Sequence, residues 1–559
     1  MRQVFFPLDR IQRWIPLIAI VTALSAACSA GEQSIDAMAT EVVDAEGASL
    51  GKVAFPVSCS AEASSRMRLG LALLHNMTYN EAETAFRSAS EQDPDCALAY
   101  WGVAMTYVHP LWPDVPSAAL FESGRALLEQ ARTRGTRTPR EEAYVAALEA
   151  YYRDAETRDE PARLASYAAA WAQVAADHPD DPEASLFRAL SLMATAPGSD
   201  QTFATQREAG AIAEQVLTRI PDHPGAHHYT IHAYDFPPLA ERALPVARSY
   251  GKVAPDNSHA LHMTSHIFTR VGLWEESIEY NARAADAALH HPINGATSHH
   301  HLHAMDYLAY AHLQRGDDAK AQEVLRHLAS LDGPMMDNSV TAYAYAAVPA
   351  RIALERQRWA DAARLESRRP AALSWDNYPH LEAITEFARA LGHAHSGNMV
   401  AARKSVARLG VLQTQAAALP GAYDWGIQVK IQEVAARAWI AYGEGRTDEA
   451  VKLMKDAAAL EATTQKNPVT PGEVLPAGEL LGDMLIDLKR YDEALAAYRS
   501  ALERSPNRLN SLYGAGRAAE LAADKQTATD YYRQLVAVAP ASAGTHPRLD
   551  HAGKFLNKS

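Results

Sequence analysis

The chain has 559 residues, 48% of them hydrophobic and 21% charged, an ordinary globular balance with enough apolar material for a large core. Its formal net charge is −14, and no basic stripe interrupts the acidic surface, which excludes nucleic acid as an expected partner. Beyond the N-terminus no apolar stretch approaches the ~20 residues of a membrane span.

Arg2, Arg10 and Arg13 precede an apolar run from Ile15 to Ala27, so residues 1–27 read as an export signal. The run ends Leu24-Ser25-Ala26-Ala27-Cys28, similar to a bacterial lipoprotein signal but with the leucine one place too far from the cysteine. Two outcomes follow: lipidation of Cys28, or plain cleavage near Ala27 or Ala30. Either gives an exported protein, periplasmic or membrane-anchored, that meets the membrane only through its signal or lipid. Residues 28–52 are small, polar and acidic and read as a flexible linker. Past Cys28 the only cysteines are Cys59 and Cys96. In an oxidising compartment they predict a disulfide stapling the first repeat, the alternative being two buried thiols.

From residue 53 the chain is helix after helix. Pro506 and Pro540 lie 34 residues apart, as do Gly482 and Gly516, Ala494 and Ala528, and Tyr498 and Tyr532. That is the tetratricopeptide period of two antiparallel helices. Glycine and alanine let the pair approach, an aromatic ring fills the gap beside them, and proline ends the second helix. The same frame recurs from Ala63 to Pro94 and from Pro224 to Pro255, with further units near Ser258 and Leu302 and weaker pairs over 339–366, 381–410 and 431–461. The predicted fold is an all-α, tetratricopeptide-type solenoid, a right-handed superhelix of seven to nine helical hairpins. Residues 53–330 form an N-terminal array, 331–470 divergent hairpins, and 471–545 a C-terminal pair. The tail after Pro540 reads as a frayed end.

In such a superhelix the first helix of each unit lines the inner surface, with places 2, 5, 9 and 12 facing inward. The frame puts His228 and His232 at places 5 and 9 of one unit, and His262 and His266 at the same places of the next, with His259 at place 2. In a third unit begun at Leu302, His303 falls at place 2 and Asp306 at place 5. Two histidines four residues apart sit one turn apart on one face, ~6 Å between Cβ atoms, and stacked first helices lie ~8–10 Å apart. His228, His232, His259, His262, His266, His303 and Asp306 are therefore candidate metal ligands. Their imidazole and carboxylate donors suit a divalent transition metal such as Zn, Cu or Fe. The competing reading is a polar network without metal, in which the histidines bond to Asp306 or Tyr310.

No Gly-x-Ser-x-Gly elbow, glycine-rich phosphate loop or zinc-protease glutamate accompanies these pairs, and no nucleotide or organic cofactor is expected. Segments 58–105, HHYTIHAYD (227–235), HALHMTSHIFTRVGLWEESI (259–278) and HAMDYLAYAHLQRGD (303–317) resemble a bacterial family of exported tetratricopeptide-repeat proteins. The resemblance implies the fold and export, and brings no reaction. Three functions remain open on sequence. One is a scaffold holding a protein or peptide in the concave groove, with a metal site on its wall. The others are a metal-dependent hydrolase or oxidoreductase acting on a small-molecule substrate, and periplasmic metal sequestration or delivery.

Overall fold

The computed structural model describes residues 35–112, 115–154, 157–198, 200–293, 295–421, 423–540 and 546–558. The signal segment and Cys28 lie outside them. Two short antiparallel strands, β1 (Thr40–Val43) and β2 (Ser49–Val53), come first. Helices follow as antiparallel hairpins: α1 (Ala61–His75) with α2 (Tyr79–Gln92), α3 (Ala97–Met105) with α4 (Ala118–Arg134), α5 (Pro139–Tyr152) with α6 (Glu160–Asp177), and α7 (Pro182–Ala194) with α8 (Ala204–Arg219). Next are α9 (Pro224–Tyr234) with α10 (Ala240–Val253), α11 (Ser258–Val271) with α12 (Trp274–His290), α13 (His299–Gln314) with α14 (Asp318–Ser330), and α15 (Ser339–Leu354) with the short α16 (Trp359–Ala363). The last are α17 (Pro379–His395) with α18 (Met399–Ala417), α19 (Trp425–Gly443) with α20 (Thr447–Ala462), α21 (Ala477–Asp487) with α22 (Tyr491–Arg504), and α23 (Leu509–Leu521) with α24 (Lys525–Val538), capped by α25 (Pro547–Lys558).

The hairpins close for the reason the repeat frame gives. A Cβ on Gly70 would sit 2.6 Å from the Phe86 ring, and one on Gly482 would sit 2.5 Å from the Tyr498 ring. Only a bare Cα admits the aromatic side chain there, so the two helices of a unit lock at one separation. First helices pack on first helices, α9 on α11, α11 on α13, and α13 on α15, and form the inner layer.

The structure departs from the sequence expectations in four places. The described residues hold twelve hairpins, not seven to nine, because residues 97–219 form three further units whose close glycine–aromatic contacts, Gly124 on Tyr152 and Gly210 on Tyr234, join neighbouring units instead of the two helices of one. Residues 35–52 of the segment read as a linker carry structure: Arg219 clasps Asp36 and Lys52 reaches Asp222 at 2.8 Å, so β1 and β2 are fastened to the array. The apolar core continues across 331–338, where Leu302 and Leu313 share a cluster with Ala344 and Val348. The tail read as frayed ends in α25, which buries Leu549 and Ala552.

The coil is tight enough that its inner helices meet across it. α1 touches α9, and α13 touches α23. Arg508 joins the second contact: its guanidinium donates to Glu479 and Glu355 at 2.7 Å each and to the Tyr310 hydroxyl at 2.8 Å, all buried. A disulfide links Cys59 to Cys96, with sulfurs 2.01 Å apart. None of the helices among the described residues is long and apolar enough to cross a membrane.

A candidate metal centre on the inner helices

The three histidine helices start on capped turns that fix their register. His223 caps α9, whose first residue is Pro224; Asn257 caps α11; Ser298 caps α13 by accepting from the His300 amide. Counted from those starts, the second residues are Gly225, His259 and His300. The fifth are His228, His262 and His303, and the ninth are His232, His266 and Tyr307. Each row crosses the stack of inner helices, so the imidazoles form a ladder.

The third unit therefore begins at His299, three residues before the start the repeat frame assigned. That shift moves one candidate to another place in the helix. Asp306 falls at the eighth place and turns away from the ladder towards α15, where its Oδ1 lies 3.4 Å from Arg351 Nε. Burial pushes its carboxyl up to about 6 against the pull of Arg351. Tyr307 stands where the pattern has histidine in the other two helices. Its ring stacks on His266 at 4.9 Å and meets His262 edge-on at 4.7 Å.

The six remaining candidates separate into two triads. His262, His266 and His303 form one, and His228, His232 and His259 the other, and within each the facing nitrogens lie within 4.8 Å of one another. His303 packs on His262 at 4.1 Å between ring centroids, and His232 on His266 at 6.3 Å, so the triads adjoin.

Hydrogen bonds fix which nitrogen carries the proton. Asn281 donates its amide to Ser277 O at 2.7 Å, so its Oδ1 faces His262 and accepts from Nδ1 at 2.8 Å. Asp235 Oδ2 accepts from His266 Nδ1 at 3.0 Å. Both rings then carry their proton on Nδ1, and their Nε2 lone pairs confront each other at 2.9 Å. Two lone pairs at that distance repel unless a cation lies between them. A proton is opposed there: burial above all, and the neighbouring imidazole, hold His262 well below its ordinary pKa, and burial lowers His266. In the other triad His228 Nδ1 donates to the carbonyl of His75 at 2.6 Å, which leaves its Nε2 bare. That atom, His232 Nε2 and both nitrogens of His259 are buried without a hydrogen-bond partner. Burial drives His228 down to about 3 and His232, His259 and His303 well below 6.5. A transition metal requires neutral imidazoles, and three of the six, His262, His266 and His228, are also oriented from behind by an amide, a carboxylate and a carbonyl.

A third group shows the alternative. His75 and His223 donate from Nε2 to the two oxygens of Glu183 at 2.7 and 3.0 Å, all fully buried. His75 Nδ1 accepts from Tyr229 at 3.0 Å, and His223 Nδ1 caps the Ala226 amide. Every donor has an acceptor, so this cluster is a closed polar network and demands no ion. Burial opposes ionisation of Glu183, but the two histidines outweigh it and hold its carboxyl far below the usual range.

Sequence reasoning missed what covers the ladder. Residues 463–476, between α20 and α21, lie as a strap against the inner helices. Lys466 reaches Asp235 Oδ2 at 2.7 Å, the same oxygen that holds His266, and Arg270 binds the other oxygen at 3.1 Å. Tyr307 donates to Thr470 O at 3.0 Å, and Arg351 to Gly472 O and Glu473 O at 2.8 Å each. Burial lowers the Lys466 ammonium to about 8, and Lys466 with Arg270 keeps Asp235 ionised against its own burial. Behind Lys466 lies a cavity of about 50 Å³ lined by His380, Trp425, Gln432 and Glu473 among others. The inner face at the histidines is thus closed by the chain itself, not an open groove.

The sequence profile described as "Tetratricopeptide repeat" matches residues 479–508, which span α21 and most of α22. No curated protein matches the chain. Among solved structures, the human IFIT1 dimer with PPP-AAAA aligns at 11% identity over 86% of this chain and 91% of that one, with a TM-score of 0.35. Yeast Tom70 aligns at 11% identity over 89% and 95%, TM-score 0.31, and the APC/C hetero-tetramer Cut9–Hcn1 at 13% over 90% and 96%, TM-score 0.29. What the histidine helices do is read from their own geometry.

Proposed function

We propose that this chain is a metal-binding helical-repeat protein, in which the solenoid serves as the frame for transition-metal ions held by the two histidine triads. The observation that carries this is the pair of Nε2 lone pairs of His262 and His266, 2.9 Å apart with both Nδ1 protons committed elsewhere. A bound ion with M–N bonds of ~2.0–2.1 Å would set two such nitrogens ~3.3 Å apart, a small relaxation from that spacing. Three imidazoles per ion leave a fourth position for water or a small ligand, the arrangement of reactive rather than purely structural sites. Zn, Cu and Fe all accept such a set.

The strap of residues 463–476 occupies the inner face at this point, which disfavours a peptide seated on the histidines. The arginine-flanked apolar leader and the Cys59–Cys96 bond support a location outside the cytoplasm.

The test is metal content. His262→Ala with His266→Ala removes the facing lone pairs and leaves Asn281 and Asp235 able to bond water, so the chain should stay folded by circular dichroism. We expect elemental analysis to find at least one metal equivalent fewer in the double variant than in the wild type. Equal metal in both would end the proposal.

A further inference from the structure

We propose that the ladder continues outwards as a metal-transfer path that opens at His299 and Met336, and that the ion it carries is Cu(I). This rests on the triads being metal sites.

The path is a run of imidazoles at nearly even steps. The rings of His299 and His300 lie 4.3 Å apart, His300 and His259 5.1 Å, and His259 and His228 5.0 Å, with His232 a further 4.7 Å along. Burial deepens in the same order. His299 and Met336 are half-buried, His300 is 8% exposed, His259 3% and His228 0%. The run therefore leads from the surface into the triad of His228, His232 and His259.

Its middle members are not tied down. His300 Nδ1 and both nitrogens of His259 are buried with no hydrogen-bond partner, whereas His228, His262 and His266 are each held from behind. Buried imidazole nitrogens ordinarily find a partner. Rings held by an acceptor keep one orientation, whereas rings without one are free to turn, so His300 can hand an ion to His259 and His259 to its neighbours in the triad. Trp112 packs beside all three outer rings, 5.4 Å from His299, 5.9 Å from His300 and 5.7 Å from His259. Its indole covers the path with an apolar wall and a π face that tolerates a passing cation.

The mouth names the ion. His299 Nδ1 lies 3.2 Å from the thioether sulfur of Met336. A thioether is a soft donor that adds affinity for Cu(I) and little for Zn(II). A path for a hard divalent ion would gain nothing from it.

The full-length protein, stripped of metal, would be mixed anaerobically with Cu(I) from its bicinchoninate complex, and separately with Zn(II) from nitrilotriacetate. Uptake would be followed by stopped flow. Met336→Leu keeps the side-chain volume, and His300→Phe and His300→Gln give two ways of removing one step. We expect all three variants to reach the wild-type final metal content. His300→Phe and His300→Gln should load both ions about tenfold more slowly, and Met336→Leu should load Cu(I) about tenfold more slowly but Zn(II) at the wild-type rate. Wild-type loading rates in every variant would overturn the path while leaving the triads standing. A wild type that takes up neither ion would remove the triads as metal sites, and the path with them.

Discussion

Asp235→Asn separates the metal's needs from the fold's. Asp235 holds His266 Nδ1 at 3.0 Å and also neutralises Lys466 and Arg270, and these side chains are less than a tenth exposed. Removing the carboxylate should weaken metal binding by 10–100-fold, ~1.4–2.7 kcal/mol, because the imidazole loses the acceptor that raises its basicity. It also leaves two buried cations without a counter-charge, a loss of roughly 3–5 kcal/mol in stability. Adding Lys466→Met takes away one of those cations. The double variant should recover about half of the lost stability while its affinity stays at least about tenfold below wild type. Chelator competition reads the affinity, and urea unfolding of the stripped protein reads the stability. A single variant that binds metal within about twofold of wild type would mean that Asp235 does not orient a ligand.

The stripped protein should be acid-labile. The imidazoles of His228 and His300, both lowered to about 3 by burial, and those of His232, His259 and His303 ionise less readily folded than unfolded. The unfolded chain therefore takes up protons first. Stability is fully present above about pH 6.5 and falls below it by up to ~1.4 kcal/mol per pH unit for each such histidine. Added metal should move the onset of unfolding to lower pH, and an onset that is the same with and without metal would contradict the account. Arg508→Met, which cuts the buried link from α23 to Glu355 and Tyr310, should cost roughly 3–5 kcal/mol in denaturant unfolding without reducing metal stoichiometry. Gly482→Ala places a methyl 2.5 Å from the Tyr498 ring and should destabilise the chain by about 1–3 kcal/mol, seen as a lower thermal midpoint.

The period of 34 and the glycine–aromatic pairs made the hairpins legible, and the same frame put His228, His232, His262 and His266 on the inner face. It slipped at the third helix because the link between α12 and α13 is longer than the repeat allows. The cap residue Ser298 marks the true start. Used as the anchor, it places His300, His303 and Tyr307 in the ladder and Asp306 one place before Tyr307. Three other features depend on contacts between distant parts of the chain, which periodicity does not encode. Asn281 reaches His262 from the second helix of its own unit. The His75 carbonyl reaches His228 across the coil. Lys466 arrives from a loop 231 residues beyond the aspartate it binds. Residues 97–219 hid three hairpins because their glycine–aromatic contacts, Gly124 with Tyr152 and Gly210 with Tyr234, join neighbouring units and do not recur at the period of 34.

X-ray absorption at the edge of the metal that purifies with the protein reads its ligands directly. We expect about three imidazole nitrogens at ~2.0–2.1 Å with the outer-shell scattering of histidine rings, and loss of that signal in the His262→Ala, His266→Ala variant. A first shell made of oxygen alone, with no imidazole scattering, would mean that the histidine ladder is not where the metal sits.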